Sequence, residues 1–386
     1  MSASNSSRSL GFATPARPRL SIVRGRGASL WDAAGRRYVD LGATHGVGNV
    51  GLGHPKVVAA VARQAAELSF LGTGYDVPVR EEFLSRLVGL LPSSLDRVFL
   101  SNSGAEAVEA AVKFARSATG RPKIVAAMRG FHGRTLGALS ATWRPEYRQA
   151  FEPLVPGFVH IPFNDVGALE AATDDTTALV LLEPVQGEGG VHPASAEFLA
   201  AARERTAAVG ALLAFDEVQT GLGRTGRLFA FERWSVVPDI LTLAKSLGGG
   251  LPLGATVTTE DVERRFRGSH HSTFGGGPVA CAAGLATLEV LCDEHLPERA
   301  DRLGQYARER LSALPAHRVR EVRGLGLMVG IEMRERVAPT LARLGERGFL
   351  ALEAGASVLR LLPPLMIPED DLRAGLDAIE ETIGRG

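Results

Sequence analysis

Two side chains with complementary chemistry, Asp216 and Lys245, directly follow two apolar segments of the chain. A lysine amine forms a Schiff base with a carbonyl compound and, once displaced by a substrate amine, can carry a proton between two carbon atoms. A buried carboxylate keeps the nitrogen of a pyridine ring protonated, so that the ring accepts electrons. The chain has only four lysines, at positions 56, 113, 123 and 245, so few amines compete for this role.

Each of these residues also has a simpler structural explanation when taken alone. Asp216 could cap a helix, and Lys245 could lie on the surface after a strand. The sequence LGGG at 247–250 follows Lys245 and indicates tight packing of the backbone at this point. The joint pattern favours chemistry on a pyridine ring.

Three apolar runs without polar alternation predict strands that are covered on both faces. They lie at 178–182, 211–215 and 240–244, and a helical pattern near 195–209 would connect the first two. The residues that follow the runs are polar and begin with Glu183, Asp216 and Lys245. Ligands of doubly wound sheets bind at the carboxyl ends of strands, so the pattern predicts an α/β fold with its active site there.

A further strand, ending at Leu100, precedes a helix that starts after Ser103. Ser103 and Glu106 have the spacing of a capping box. The backbone amides of Gly104 and Ala105 would then carry partial positive charge toward an anion such as phosphate. Helix starts of this kind are common, so this motif alone leaves a purely structural role equally open.

The rest of the chain predicts a second, smaller α/β unit. Residues 275–314 read as long helices, VRGLGLMVGIEM as a glycine-interrupted strand pair, and SLWDAAGRRYVDLG as a hairpin that packs with the C-terminal part. We expect an N-terminal arm and part of the small domain at 1–53, the large domain at 54–295 and the C-terminal small domain at 296–386. The first residues are expected to form a partly disordered arm.

Composition narrows the function classes. The 43 basic and 43 acidic residues balance, which does not suggest nucleic-acid binding. Two cysteines, Cys281 and Cys292, fit a reducing compartment, and no apolar block suits a signal peptide or a membrane span, so a cytoplasmic protein is expected. The pair His270 and His271 lacks a third ligand at a recognisable spacing, so no metal site is predicted. No GxSxG motif supports a hydrolase triad of Ser101, Ser103 and His132.

Seven ordered motifs give the chain a resemblance to class III (ornithine-type) aminotransferases over nearly its whole length. The motifs are SNSGAEAVEAAVKFAR, FHGRTLGALSAT, LLEPVQGEGGVHPA, FDEVQTGLGRTG, DILTLAKSLGGGLPLGA, HSTFGGGPVACAAG and VLRLLPPL. The resemblance implies the fold type I of pyridoxal-phosphate-dependent transferases. In this fold a large domain has a mostly parallel sheet, and a smaller α/β domain is built from the N- and C-terminal segments.

The same resemblance assigns the cofactor, pyridoxal 5′-phosphate, to particular residues. It makes Lys245 the Schiff-base lysine, pairs Asp216 with the pyridine nitrogen, places Gln219 at the ring hydroxyl and Phe131 over one ring face. The other implied cofactor-binding residues are Ser103, Gly104 and Ala105 at the phosphate, His132, and Thr273, which would reach the phosphate of a neighbouring subunit. An active site shared across a homodimer is therefore implied.

For substrates, the resemblance implies Arg360 at the α-carboxylate of glutamate, Arg134 at a distal carboxylate, and Glu188 as the partner of Arg360 when the other substrate binds. The implied reaction is ping-pong transfer of a terminal amino group between an N-acylated ornithine- or lysine-type substrate and 2-oxoglutarate, in amino-acid or secondary-metabolite biosynthesis. The N-acyl group would be acetyl or an acidic amino-group carrier protein. Alternatives are an ω-aminotransferase for free ornithine, 4-aminobutyrate or a diamine, and a non-catalytic scaffold, although the lysine and aspartate are both present.

The sequence differs from the usual family pattern at two places that concern substrate recognition. The stretch YVDLGATHGVGNVGLGHP differs from the usual acetylornithine form, and its GVGN element is closer to the carrier-protein branch, with Thr44 and His45 expected near the substrate entrance. Gly277 stands where the family commonly has asparagine. An acidic carrier would suit a basic rim of Arg264, Arg265 and Arg267, although a solvated helix face explains these arginines as well.

Overall fold

The computed structural model describes residues 20–384, so the expected disordered arm falls on residues 1–19, outside the described part. The strands are β1 (Ile22–Arg26), β2 (Ser29–Asp32), β3 (Arg37–Asp40), β4 (Arg97–Ser101), β5 (Lys123–Ala127), β6 (Phe158–Ile161), β7 (Thr177–Leu182), β8 (Val185–Gln186), β9 (His192–Pro193), β10 (Leu212–Asp216), β11 (Ile240–Leu243), β12 (Gly254–Thr258), β13 (Val319–Leu325), β14 (Met328–Met333), β15 (Phe349–Leu350), β16 (Leu352–Ala354) and β17 (Val358–Leu361). The helices are α1 (Ala43–Gly46), α2 (Pro55–Glu67), α3 (Pro78–Val88), α4 (Gly104–Thr119), α5 (Leu136–Ala141), α6 (Pro145–Arg148), α7 (Val166–Ala172), α8 (Ala196–Val209), α9 (Glu260–Arg265), α10 (Pro278–Asp293), α11 (Leu296–Leu311), α12 (Ala338–Glu346) and α13 (Glu369–Gly384). Short 3-10 helices occur at Gln149–Phe151, Ala230–Arg233 and Lys245–Gly248.

A seven-stranded sheet with the order β4-β12-β11-β10-β7-β5-β6 forms the centre of the molecule. Only β12 runs against its neighbours, so the sheet is mostly parallel. The three predicted apolar strands are β7, β10 and β11; they are adjacent, parallel and buried throughout. The predicted crossover helix is α8, capped by Ser195, whose hydroxyl accepts the Phe198 N–H. The parallel-sheet prediction is confirmed.

Strand β4 leads into α4 through the predicted cap. The Ser103 hydroxyl accepts the Glu106 N–H at 3.2 Å. The Glu106 carboxylate accepts the N–H of Asn102, at 2.5 Å, instead of that of Ser103, so the reciprocal half of the capping box is displaced by one residue. The cap still fixes where the helix begins, which orients the first-turn amides.

The N- and C-terminal parts of the chain join in small sheets beside the large one. Strands β13 and β14 form the predicted antiparallel pair, and the sheet continues through β17 to β16. The predicted hairpin is β2–β3, whose turn is held by Asp32 accepting the N–H groups of Ala34 and Arg36. Strand β3 pairs in parallel with β15, which joins the N-terminal hairpin to the C-terminal part of the described chain. The three domain boundaries stay a prediction. Within residues 20–384, no helix is long and apolar enough to cross a membrane.

Candidate active site

The predicted chemical pair lies on adjacent strands at the carboxyl edge of the large sheet. Asp216 ends β10 and lies opposite Thr242 of β11, and Lys245 follows β11 directly after Ala244. Lys245 has φ of 44°, in the left-handed region that residues with a side chain rarely adopt. Such strained backbone persists where the surrounding structure enforces it and is concentrated at functional sites.

Asp216 is buried, and both oxygens of its carboxylate accept hydrogen bonds. It accepts hydrogen bonds from the Thr242 hydroxyl and the Val218 N–H, both at 3.1 Å, and from Nδ1–H of His132 at 2.7 Å. Burial lowers the pKa of His132, but the hydrogen bond and charge of Asp216 outweigh it, so this pKa is raised. The opposite ring nitrogen of His132 is buried and has no hydrogen-bond partner among residues 20–384. Asp216 therefore has a fixed orientation, as a partner for a pyridinium requires.

Glu183, which follows β7, connects two loops of the site. One carboxylate oxygen accepts the Phe131 N–H at 2.9 Å and the other accepts the Gly187 N–H at 3.1 Å. Burial raises the pKa of Glu183 to about 7; His132 lowers it and Asp216 raises it further. The sequence placed Glu183 at a strand end without giving it a role, and the structure shows that it holds the loops of Phe131 and of the adjacent Glu188.

Lys245 is partly buried beside several charged groups. Burial lowers its pKa, an effect that the carboxylates of Glu188 and Asp216 oppose and that the Arg360 guanidinium reinforces. The net pKa is below that of an ordinary lysine. A larger fraction of neutral amine is available near neutral pH, which suits a nucleophile toward carbonyl groups.

Arg360, on β17 of the small sheet, lies close to Lys245 and Glu188. It is almost completely buried, and its Nη1 donates to Glu188 at 2.7 Å and to the amide oxygen of Gln219 at 3.1 Å. Its Nε is buried without a partner in the described chain. Burial would raise the pKa of Glu188, but the attraction and hydrogen bond of Arg360 lower it overall. The predicted pairing of Arg360 with Glu188 is present.

The start of α4 packs directly against the loop that follows Asp216. A Cβ atom at Gly104 would lie 2.7 Å from Cγ1 of Val218, so only glycine fits there without displacement. The first-turn amides of Gly104 and Ala105 lack intrahelical partners by geometry and carry partial positive charge. The positions predicted for phosphate binding, Ser103 to Ala105, are therefore beside the Asp216 loop.

Three other predicted site residues are only half-buried or are exposed in the single chain. Phe131 packs edge-on against Tyr147, with ring centroids 5.8 Å apart. The exposed Arg134 stacks on Tyr147, with its guanidinium carbon 4.3 Å from the ring centroid. Thr273 is exposed, between α9 and α10, next to Phe274. Tyr147 was not anticipated, because no short motif marks it.

These side chains fit pyridoxal 5′-phosphate on chemical grounds. The site offers helix-start amides for a phosphate, a buried oriented carboxylate for a pyridine nitrogen, and a lysine with a lowered pKa for an aldehyde. The unpaired Nε atom of Arg360 is a further donor. Among residues 20–384, no three His, Cys, Asp or Glu side chains are grouped to hold a metal ion.

Comparisons with known proteins agree with this chemistry. The family described as aminotransferase class-III matches residues 12–383. The chain is 46% identical to LysW-aminoadipate semialdehyde transaminase of Deinococcus radiodurans, over 94% of this chain and 85% of that protein. It is 47% identical to acetylornithine aminotransferase of Methanopyrus kandleri, over 94% of each chain. The crystal structure of ornithine aminotransferase from Toxoplasma gondii ME49 superposes with a TM-score of 0.92 at 35% identity, over 97% of this chain and 92% of that one. The chain therefore belongs to the class-III aminotransferases, enzymes that use pyridoxal 5′-phosphate.

Proposed function

We propose that this aminotransferase moves a terminal amino group between an N-acylated ornithine- or lysine-type substrate and 2-oxoglutarate, in a ping-pong reaction. The names of the relatives support this substrate class, since they refer to acetylornithine and to LysW-linked aminoadipate semialdehyde. The structural observation that carries the proposal is the Arg360–Glu188 ion pair of 2.7 Å beside Gln219.

This ion pair suits an enzyme that must accept two different substrate ends. While Glu188 neutralises Arg360, the pocket presents no free cation to an α-carboxylate, which favours a substrate that enters with a terminal amine. Glutamate requires the opposite state, in which Glu188 releases Arg360 for bidentate binding of the α-carboxylate. The exposed Arg134 would hold the distal carboxylate.

When bound, pyridoxal 5′-phosphate accepts the amino group and stabilises negative charge at the reacting carbon. In this proposal Ser103, Gly104 and Ala105 hold its phosphate, Asp216 its ring nitrogen and Gln219 its ring hydroxyl. The Lys245 amine carries the proton to and from the substrate carbon, for which its lowered pKa is suited.

We also infer a cytoplasmic homodimer with shared active sites. Phe274, beside Thr273, is 65% exposed in the single chain, and its ring lies 5.0 Å from that of the exposed Phe70. An exposed aromatic pair of this size supports a subunit contact at this segment, from which Thr273 would reach the partner's cofactor phosphate. An acidic amino-group carrier protein is the proposed macromolecular substrate in the carrier-linked case.

A survey of half-reactions tests the proposed substrates. Cofactor-loaded enzyme is mixed separately with glutamate, acetylornithine, ornithine, 4-aminobutyrate, a diamine and carrier-conjugated lysine, and the cofactor's visible absorbance is followed. We expect rapid change with glutamate and with an N-acylated terminal amine. No response to glutamate would refute the proposal, and a response to free diamines or 4-aminobutyrate instead would identify another ω-aminotransferase.

A further inference from the structure

A cavity of about 710 Å³ is lined by Arg129 and Gln186, which are two residues away in sequence from Phe131 and Glu188, respectively. Met128 and Arg129 line it on the side of the large sheet, and Arg308 and Arg323 line it on the side of the small sheet. Its lining includes none of the residues assigned above to the cofactor or the substrates. Its volume is within the range of small-molecule sites, about 300–1,000 Å³.

The cavity has an excess of positive charge. The guanidinium groups of Arg129 and Arg323 both approach Nε2 of His192, at 3.4 and 3.3 Å. Burial, Arg323 and Arg129 together lower the pKa of His192 to about 4, so the imidazole is a neutral acceptor. Glu321 and Glu332 balance the charge of Arg323.

Two other guanidinium groups of the lining have no carboxylate of the described residues at ion-pair distance, and the carboxylates of Asp301 and Glu309 act on Arg308 only from farther away. Within residues 20–384, neither Arg129 nor Arg308 forms an ion pair with a carboxylate, and Arg308 donates only to the backbone oxygen of Gly326. Two such cations in the lining of one cavity favour a ligand with two carboxylates.

The amide oxygen of Gln186, a buried residue of the cavity lining, accepts no hydrogen bond from the described residues. Gln186 is 1% exposed, and its Nε2 donates to the backbone oxygen of Met128 at 2.8 Å, which fixes how the amide is turned. Its Oε1 has no hydrogen-bond partner in the described chain. A buried acceptor of this kind is costly unless a donor reaches it, so a ligand should bring an O–H or N–H group.

We propose that this cavity binds a small dicarboxylic acid that also has a hydroxyl or amino group to donate. The two carboxylates bind Arg129 and Arg308, and the hydroxyl or amine donates to Oε1 of Gln186. Arg129 is two residues before Phe131 in the same loop, and Gln186 ends β8, two residues before Glu188. The ligand would thus contact segments that lead into the active site and connect the large sheet to the small one.

The test is calorimetric titration of the holoenzyme with L-malate, which has two carboxylates and a hydroxyl but no amine to transfer. The cofactor's visible absorbance is recorded in parallel, because binding in the active site changes it and binding in the cavity leaves it unchanged. Succinate lacks the hydroxyl and should bind about tenfold more weakly.

Arg129→Asn is the diagnostic variant. Arg129 has φ of 67°, a conformation that asparagine tolerates, so the loop is retained while the charge is lost. We expect at least a tenfold loss of malate affinity. Arg334→Gln is the matched control, since Arg334 is exposed, donates to the backbone oxygen of Ala316 and is outside the cavity lining, and malate should bind this variant normally.

Three results would overturn the proposal. The first is the absence of binding heat at millimolar malate. The second is binding that changes the cofactor spectrum and persists in Arg129→Asn, which would put malate in the active site. The third is equal affinity for malate and succinate, which would remove the assigned bond to Gln186. None of these results bears on transamination of the proposed substrates.

Discussion

Removal of the Glu188 carboxylate should change which substrate the enzyme prefers. In Glu188→Ala the Arg360 guanidinium loses its 2.7 Å partner and keeps only the Gln219 amide, at 3.1 Å. Glutamate then no longer has to displace a carboxylate before its own α-carboxylate binds. A terminal-amine substrate, in contrast, meets an unneutralised buried cation.

The size of the change in substrate preference can be estimated from the exposure of Glu188. A hydrogen bond between charged groups contributes about 1.5–3 kcal/mol, and Glu188, whose side chain is 27% exposed, is expected at the lower end because water screens it. Since about 1.4 kcal/mol corresponds to a tenfold change, the ratio of kcat/KM for glutamate to that for the terminal amine should rise by about tenfold or more.

Single-turnover half-reactions measure both values on one preparation, by the change in cofactor absorbance. Glu335→Ala is the control, because it removes a carboxylate from an ion pair with Arg318 that is half exposed and remote from the site. Its ratio should equal that of the wild type. An unchanged ratio in Glu188→Ala would show that the ion pair does not select between substrates.

Four further outcomes are expected. Lys245→Ala should abolish turnover and the spectral response to amines. Lys56 is an exposed lysine paired with Asp293, and Lys56→Ala should retain both activities. Turnover in Lys245→Ala would refute the proposed role of the Lys245 amine. Asp216→Asn removes the charge that raises the pKa of His132, so NMR titration should find that pKa lowered and kcat should fall by about a hundredfold or more. Gly104→Ala places a methyl group against Val218 and should lower stability by about 1–3 kcal/mol and weaken cofactor binding, with recovery in the double variant with Val218→Ala. Burial and two arginines lower the pKa of His192 to about 4, against 6.5 for a free histidine, so the unfolded chain binds a proton first and stability falls as the pH falls from 6.5 to 4. Denaturant titration of His192→Gln should show a shallower loss of unfolding free energy over that range, and an identical slope would contradict the shift.

The central strands could be predicted because parallel strands are covered on both faces. The runs at 178–182 and 211–215 contain no alternating polar residues, and β7 and β10 are buried throughout. The position of β4 could not be predicted in the same way. It pairs with the antiparallel β12 instead of with a strand near it in sequence, and such pairing depends on non-local contacts that no local pattern reports.

The site was only partly predictable for the same reason. Asp216 and Lys245 follow recognisable strands, so their meeting at one edge follows from the fold class. The bond from His132 to Asp216 and the contacts of Glu183 join segments that are far apart in sequence. A single sequence contains no signal for such pairs beyond the polarity of the residues that follow each strand.

The segment Ala43–Gly46 has a backbone conformation that its sequence does not predict. Its residues have φ values of 41°, 49°, 66° and 79°, so one turn of backbone is left-handed although three of the four residues are not glycine. Each non-glycine residue costs about 1–2 kcal/mol in this conformation. The buried carboxylate of Asp40 offsets part of this cost by accepting the N–H groups of Gly42, at 2.8 Å, and Thr44, at 3.1 Å.

This strain has a consequence at the active site. His45 lies within electrostatic range of Glu188 and lowers the pKa of that carboxyl, together with Arg360 and Lys245. A relaxed turn would direct the residue at position 45 elsewhere, so the fold maintains a costly backbone where the substrate-side loop meets the ion pair. The departure of this loop that the family resemblance implies would therefore fall beside the groups that are proposed to select the substrate, which makes His45 the first position to exchange when substrate specificity is tested.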